Sequence, residues 1–291
     1  MKKFIIILGL LSLFSPLTLQ AQTAAEVMKK VDVQAKATSN SSFSIMSLSS
    51  CKFAKKGKRI SCTEKPRVKK MENAQINTGK GNLDSKSIAI LLAPASEKGI
   101  GMLSFSYDNP QKDSESWLYL SALGKVKRMA GGSDEDAEPT ALFGSEFTTE
   151  DMETGKLDEY TYKILKETKY AGRPVWIIES TPKPARLKKT RYAKSIVWVD
   201  KDRLITLKVQ TFDKKNKPYK RLTFGKVEQI QGQWLARSII IVNQQTSRLT
   251  KMAMEKIVLN IKVSEDFLSQ RALTDFAFRE NHLNKLRSQM K

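Results

Sequence analysis

Few side chains in this sequence could do covalent chemistry, and their spacing argues against it. His282 is the only histidine, and it sits in a polar C-terminal segment with no cysteine or serine in a supporting pattern, so it reads as a surface helix residue. Ser49 and Lys52 make an S-x-x-K match by chance, in a stretch where no helix would present them on one face. H-E-x-x-H, G-x-S-x-G and G-x-x-x-x-G-K do not occur. Asp134, Glu135, Asp136 and Glu138 could hold a divalent cation, but the run lacks EF-hand spacing and reads as a solvated loop. The sequence therefore implies no enzyme, no cofactor and no metal site.

The remaining chemistry belongs to two cysteines, Cys51 and Cys62. They flank Lys55-Lys56-Gly57-Lys58 between strand-like stretches, which predicts a hairpin tied near its mouth by a disulfide. Free thiols are the alternative, and a zinc site would lack its further ligands. A disulfide needs an oxidising compartment, and the first 21 residues read as the means of reaching one. Lys2 and Lys3, the apolar run Phe4 to Phe14, and Leu19-Gln20-Ala21 before Gln22 form a cleavable export signal. The run is too short to span a bilayer comfortably, and no cysteine near the cut could take a lipid. The expected product is a soluble periplasmic protein, one domain over 22–291.

Its charge favours anionic partners. The formal balance is +21, or 21 − 2 = +19 without Lys2 and Lys3. No helix-turn-helix, RRM or zinc pattern supports nucleic acid, so anionic lipid headgroups are the better candidate for a transient contact, with clusters at Lys183 to Arg191 and Lys214 to Arg221. Dispersed lysines that only keep the protein soluble are the plainer reading.

The elements that must position these residues are mostly strands. Thr23-Ala24-Ala25-Glu26 is a capping box that starts a helix carrying Val27, Val31 and Ala35 on one face. After Ser42 the apolar period becomes two: Phe43 to Ile45, Lys86 to Ala93, Met102 to Tyr107, Tyr160 to Leu165, Val175 to Glu179, Ile196 to Val199, Leu204 to Phe212, and Ile257 to Val263. Short turns are expected at Thr148 to Glu153 and Ser264 to Phe267, and a C-terminal helix from about Asp275. About a dozen strands with short connections predict a mainly β chain with a few helices (α+β). Its long antiparallel sheet must curl to protect its edges.

Ser116 to Met152 is the densest stretch. Trp117 and Tyr119 share one face of a predicted strand and Leu118 and Leu120 the other; Ala122, Leu123 and Gly124 then turn the chain into Lys125, Lys127 and Arg128. The run W-L-Y-L-x-A-L-G-x-V-x-R, followed by F-G-S-E-F-x-x-E-D-M, resembles the pattern of bacterial outer-membrane lipoprotein-sorting proteins of the LolA/LolB-like superfamily. Tyr170 to Pro184, Tyr192 to Asp213, Gly232 to Trp234 and Val263 to Leu273 continue the likeness. Ser121 stands where that pattern carries Pro, and the Cys51 to Cys62 region is outside it. The resemblance implies an incomplete barrel whose concave face is covered by helices and takes up lipid or lipoprotein acyl chains. It also implies a non-enzymatic carrier between membranes or to and from an inner-membrane exporter. A lipid-sensing or adaptor module of an envelope exporter or stress pathway is the alternative. Trp117, Tyr119, Leu123 and Phe147 are the candidate ligand-binding residues, with Arg128 at the rim, although a ring pair on one strand face is more often plain core.

Overall fold

The computed structural model describes residues 22–37, 39–57, 59–109, 111–129, 141–152 and 156–290. The export signal expected over 1–21 and the acidic run at 134–138 lie outside them. Helix α1 (Ala24–Ala37) comes first, followed by β1 (Ser41–Lys56), β2 (Arg59–Cys62), β3 (Arg67–Thr78), β4 (Asp84–Ala93), β5 (Gly101–Ser106), β6 (Glu115–Leu120) and β7 (Lys125–Met129). The second half holds α2 (Thr149–Met152), β8 (Tyr160–Tyr170), β9 (Arg173–Pro182), α3 (Pro184–Lys189), β10 (Tyr192–Asp200), β11 (Thr206–Asp213), β12 (Pro218–Ile230), β13 (Gln233–Asn243) and β14 (Arg248–Leu259). Helices α4 (Gln270–Thr274) and α5 (Phe276–Ser288) end the described chain.

The strands form one open antiparallel sheet in the order β7-β6-β5-β4-β3-β1-β14-β13-β12-β11-β10-β9-β8, with β2 paired only to β1. Two meanders run outward from the middle, where the first strand meets the last. Both faces of this sheet are apolar, and strand alternation sorts the side chains between them. On β4, Ile88 and Ile90 enter one cluster while Ala89 and Leu91 enter another; on β5, Leu103 and Met102 divide the same way.

The first face is closed by the C-terminal helices. Phe267, Leu273 and Leu283 are buried there against Phe43, Ile88, Ile90 and Leu103. A Cβ at Gly101 would come within 2.7 Å of both Ile90 Cδ1 and Leu273 Cδ2, so α4 lies against β5 where there is no room for a bulky side chain. The second face takes Phe143 and Phe147, from the segment 141–152, onto Leu48, Met71, Leu91, Met102, Leu222, Ile241 and Met252. Val209 continues this face into a cluster of Ile178, Val197 and Val199 beneath Ala24 and Val27 of α1. The helices divide between the two faces, because neither face is polar enough to stand in water.

Local expectations hold where a cap or a parity fixed them. The Thr23 amide donates to Glu26 Oε2 at 2.8 Å and the Glu26 amide to Thr23 Oγ1 at 3.3 Å. Cys51 and Cys62 are disulfide-bonded, with Cα atoms 5.8 Å apart. Two boundaries fall short of the expected strands. Leu204 has φ 52° and lies outside the strand, which begins at Thr206; β14 stops at Leu259 because Asn260 turns to φ 54°, leaving Ile261 and Val263 beyond it. β3, β7, β12, β13 and the short α3 and α4 were not foreseen: lysines blur the alternation of β3, β7 and β12, and the continuous apolar run Ile239 to Val242 of β13 shows none.

Candidate functional site

A cavity among the described residues lies on the second face, between α1 and strands β8 to β13. Its volume is about 520 Å³, within the range of pockets that bury small ligands. The roof is Met28, Val31 and Ala35 of α1, held because Val27 is fully buried on the sheet and because Gln233 Nε2 donates to the Ala35 carbonyl at 3.3 Å. The floor is Val197, Val209, Leu222, Phe224 and Ile239, one inward residue after another across four strands. Trp234 and Leu235 line the end where β13 begins, and Arg203 lies over the Trp234 ring at 4.6 Å.

The opposite end is polar, and α2 builds it. Thr148 is fixed by Asp151, whose Oδ2 accepts from the Thr148 amide and hydroxyl, both at 2.8 Å. That same oxygen takes Lys220 Nζ at 2.6 Å, with both side chains almost wholly buried, 1% and 3% exposed, and the Tyr192 hydroxyl donates to Asp151 Oδ1. One residue earlier, Glu150 accepts from the Thr190 hydroxyl and lies 3.8 Å from Arg186. Arg186 in turn donates to the Tyr160 hydroxyl at 2.9 Å and pairs with Glu159 at 3.5 Å. Farther along the segment, Glu146 binds Arg248 at 2.9 Å and Asn243 at 3.0 Å, clamping Phe147 against the sheet.

These groups neutralise one another and offer no poised nucleophile. Burial raises the Glu150 carboxyl above its ordinary value, against the Thr190 hydrogen bond and Arg186. Burial likewise raises the Tyr162 and Tyr192 phenols, and for Tyr192 the neighbouring Asp151 adds to it, so both stay protonated hydrogen-bond donors at neutral pH. What the arrangement can do is hold an apolar chain along α1 with a polar group at the α2 end.

The five residues singled out in the sequence are not brought together. Phe147 is fully buried and lines the cavity. Trp117 and Tyr119 lie on the first face, packed into the cluster beneath α4 and α5, with Trp117 edge-on to Phe105 at 5.1 Å. Strand parity sends Leu118 to the second face instead. Leu123 is 64% exposed in the turn after β6, and Arg128 is exposed and pairs with Glu115 at 3.1 Å. Glu150, Arg186, Tyr192 and Lys220 were missed as site residues; the one sequence signal that bore on them was Thr148-x-x-Asp151, a capping pattern that fixes where α2 starts. His282 stacks on Phe267 and meets Phe278 at a tilt, and burial lowers its pKa. Ser49 and Lys52 point to opposite sides of β1, three positions apart on a strand.

A family model described as an uncharacterized protein matches residues 83–275. No curated protein matches the chain. Among solved structures, a DUF1329 family protein from Desulfovibrio piger ATCC 29098 is 25% identical, with 86% of this chain and 97% of that one covered and a TM-score of 0.74. A domain from Vibrio parahaemolyticus described as an outer membrane lipoprotein-sorting protein is 23% identical over 86% and 98%, also at 0.74. A LolA superfamily protein from Nitrosomonas europaea shares the fold at 12% identity over 86% and 98%, with a TM-score of 0.62.

Proposed function

Because the chain belongs to the uncharacterized-protein family matched over residues 83–275 and has the fold of the LolA superfamily, we propose that it is a non-enzymatic carrier of lipid or lipoprotein acyl chains. The observation that carries this reading is the 520 Å³ cavity, apolar along α1 and self-neutralised at its polar end. An acyl chain could leave water there without stripping a charge of its partner. Export to the periplasm and hand-over between membranes, or to and from an inner-membrane exporter, complete the proposal; no helix among the described residues is long and apolar enough to cross a membrane.

Burial of each methylene is worth about 0.8 kcal/mol, so affinity for a homologous series of fluorescent acyl probes should climb roughly fourfold per added carbon until the cavity is full. The delipidated protein is titrated with that series, together with Ile239→Trp, which fills the floor, and Trp117→Ala and Arg128→Ala, which alter the other face and an exposed edge. Ile239→Trp should weaken binding at least about tenfold while the other two bind as wild type. A wild type that binds no acyl probe, or an affinity indifferent to chain length, would refute the carrier reading. Lipid extraction of the purified protein with mass spectrometry identifies the natural cargo.

A further inference from the structure

The hairpin closed by Cys51 and Cys62 has no role in the cavity. β1 pairs with β14 only as far as Lys52 opposite Arg248, so Phe53 to Cys62 run on past the body of the sheet as a two-stranded arm. Lys52, Lys55, Lys56 and Arg59 are exposed on it, and Lys65 and Arg67 follow at once. Antiparallel topology sets other turns at the same sheet end. The Phe53 amide donates to Ser247 O in the β13–β14 turn at 2.9 Å, and Gln245 of that turn reaches Asp213 Oδ2 at 2.8 Å, beside the β11–β12 turn with exposed Lys214 and Lys215.

None of these eight cations forms an ion pair among the described residues. The two nearby carboxylates are already engaged: Glu64 accepts from the Lys52 amide, and Asp213 from the amides of Lys215 and Lys217. The array crosses four strand spacings, about 19 Å, which is wider than the Debye length of about 8 Å at physiological salt. A broad row of unpaired, flexible cations with no pocket among them matches an extended sheet of negative charge better than a small anion.

We propose that this end of the sheet, from the disulfide-closed arm to the β11–β12 turn, is the docking surface of the protein on a bilayer rich in anionic phospholipid. The cavity's α2 end lies at the same ends of β10 to β12, through Tyr192 and Lys220, so docking turns the polar mouth toward the headgroups. The choice of a membrane over an acidic protein rests on the carrier reading above, in which a bilayer is the source or acceptor of the cargo.

The test is co-sedimentation of the full protein with vesicles of zwitterionic phospholipid, with and without anionic phospholipid, at low and high salt. Each cation near an anionic surface contributes roughly fivefold, so Lys55→Glu/Lys56→Glu/Arg59→Glu should lose at least about 100-fold in vesicle affinity. Lys80→Glu/Lys226→Glu/Lys262→Glu removes the same charge from exposed unpaired lysines elsewhere and should keep most of the binding. Equal losses in the two variants, equal pelleting with purely zwitterionic vesicles, or binding to a polyglutamate peptide without binding to vesicles would each overturn the proposal. Acyl-probe titration of the arm variant runs in parallel: an unchanged probe affinity with lost docking separates the surface from the cavity. Docking by a wild type that takes no probe leaves the surface standing and sinks the carrier instead.

Discussion

Asp200 shows how a single buried charge is kept ionised in this fold. Its side chain is fully buried at the end of β10. Burial by itself would raise its pKa, but hydrogen bonds from Arg173 at 3.0 Å and from the amides of Arg203 and Asp202 outweigh that and hold it below the ordinary value of 3.8. The sign follows: the carboxylate contributes stability above pH 3.8 that is lost as pH falls through its lower folded value. Asp200→Asn should therefore cost roughly 1–2 kcal/mol near neutrality, since Arg173 is partly exposed and keeps Asp202 while the charge-assisted hydrogen bonds to the buried carboxylate weaken, and the difference from wild type should shrink below pH 3.8. Urea melts of both proteins at pH 7 and near pH 3 measure it, and a gap that stays constant with pH would show that Asp200 acts by packing alone. The Asp151–Lys220 pair at the cavity's polar end is more deeply buried still, which is why the α2 segment stays seated although it contributes one short helical turn.

At the scale of elements, the closeness of α4 to β5 depends on how little bulk stands at Gly101. Both atoms that a Cβ at Gly101 would meet are ends of flexible side chains, so alanine can be absorbed, whereas a branched residue cannot. Gly101→Val should lower stability by about 1–3 kcal/mol, read as a shift of the urea midpoint without a change of slope; a midpoint like that of wild type would mean α4 can lift off freely. This helix was not legible in the sequence for the same reason that the sheet face of Trp117 and Tyr119 could not be assigned there. The alternation Trp117-Leu118-Tyr119-Leu120 tells that β6 has two apolar faces, and that much was legible. Which face meets α5 and which the segment 141–152 depends on the far end of the chain. The capping box at Thr23, the disulfide hairpin and the helix from Asp275, whose side chain accepts from the Phe278 amide at 2.9 Å, were readable because each is settled within a few residues. Glu150, Arg186 and Lys220 were not, since ordinary charged residues up to 70 positions apart become one cluster only through the meander.

For the whole molecule, the two-faced sheet puts the cavity on one side and the C-terminal helices on the other. Occupancy of the cavity should slow amide exchange in α1 and in β9 to β13, and leave α4 and α5 unchanged on the other face. Exchange measured with and without a saturating acyl probe tests this, and protection centred on α4 and α5 would put the ligand on the wrong side of the sheet. The sheet order has a consequence of its own. Its middle joins β1 to β14, with partners such as Ser50 and Thr250 200 positions apart, while its edges come from the interior of the chain. Each meander can form from local turns, but the seam between them closes only after the last strand exists, and long-range closure of this kind is slow. A ribosome or a translocation channel delivering this polypeptide from its N-terminus hands over β1 first and its neighbour β14 almost last. Until then β1 can pair only with β2 and β3, and its other edge stays open.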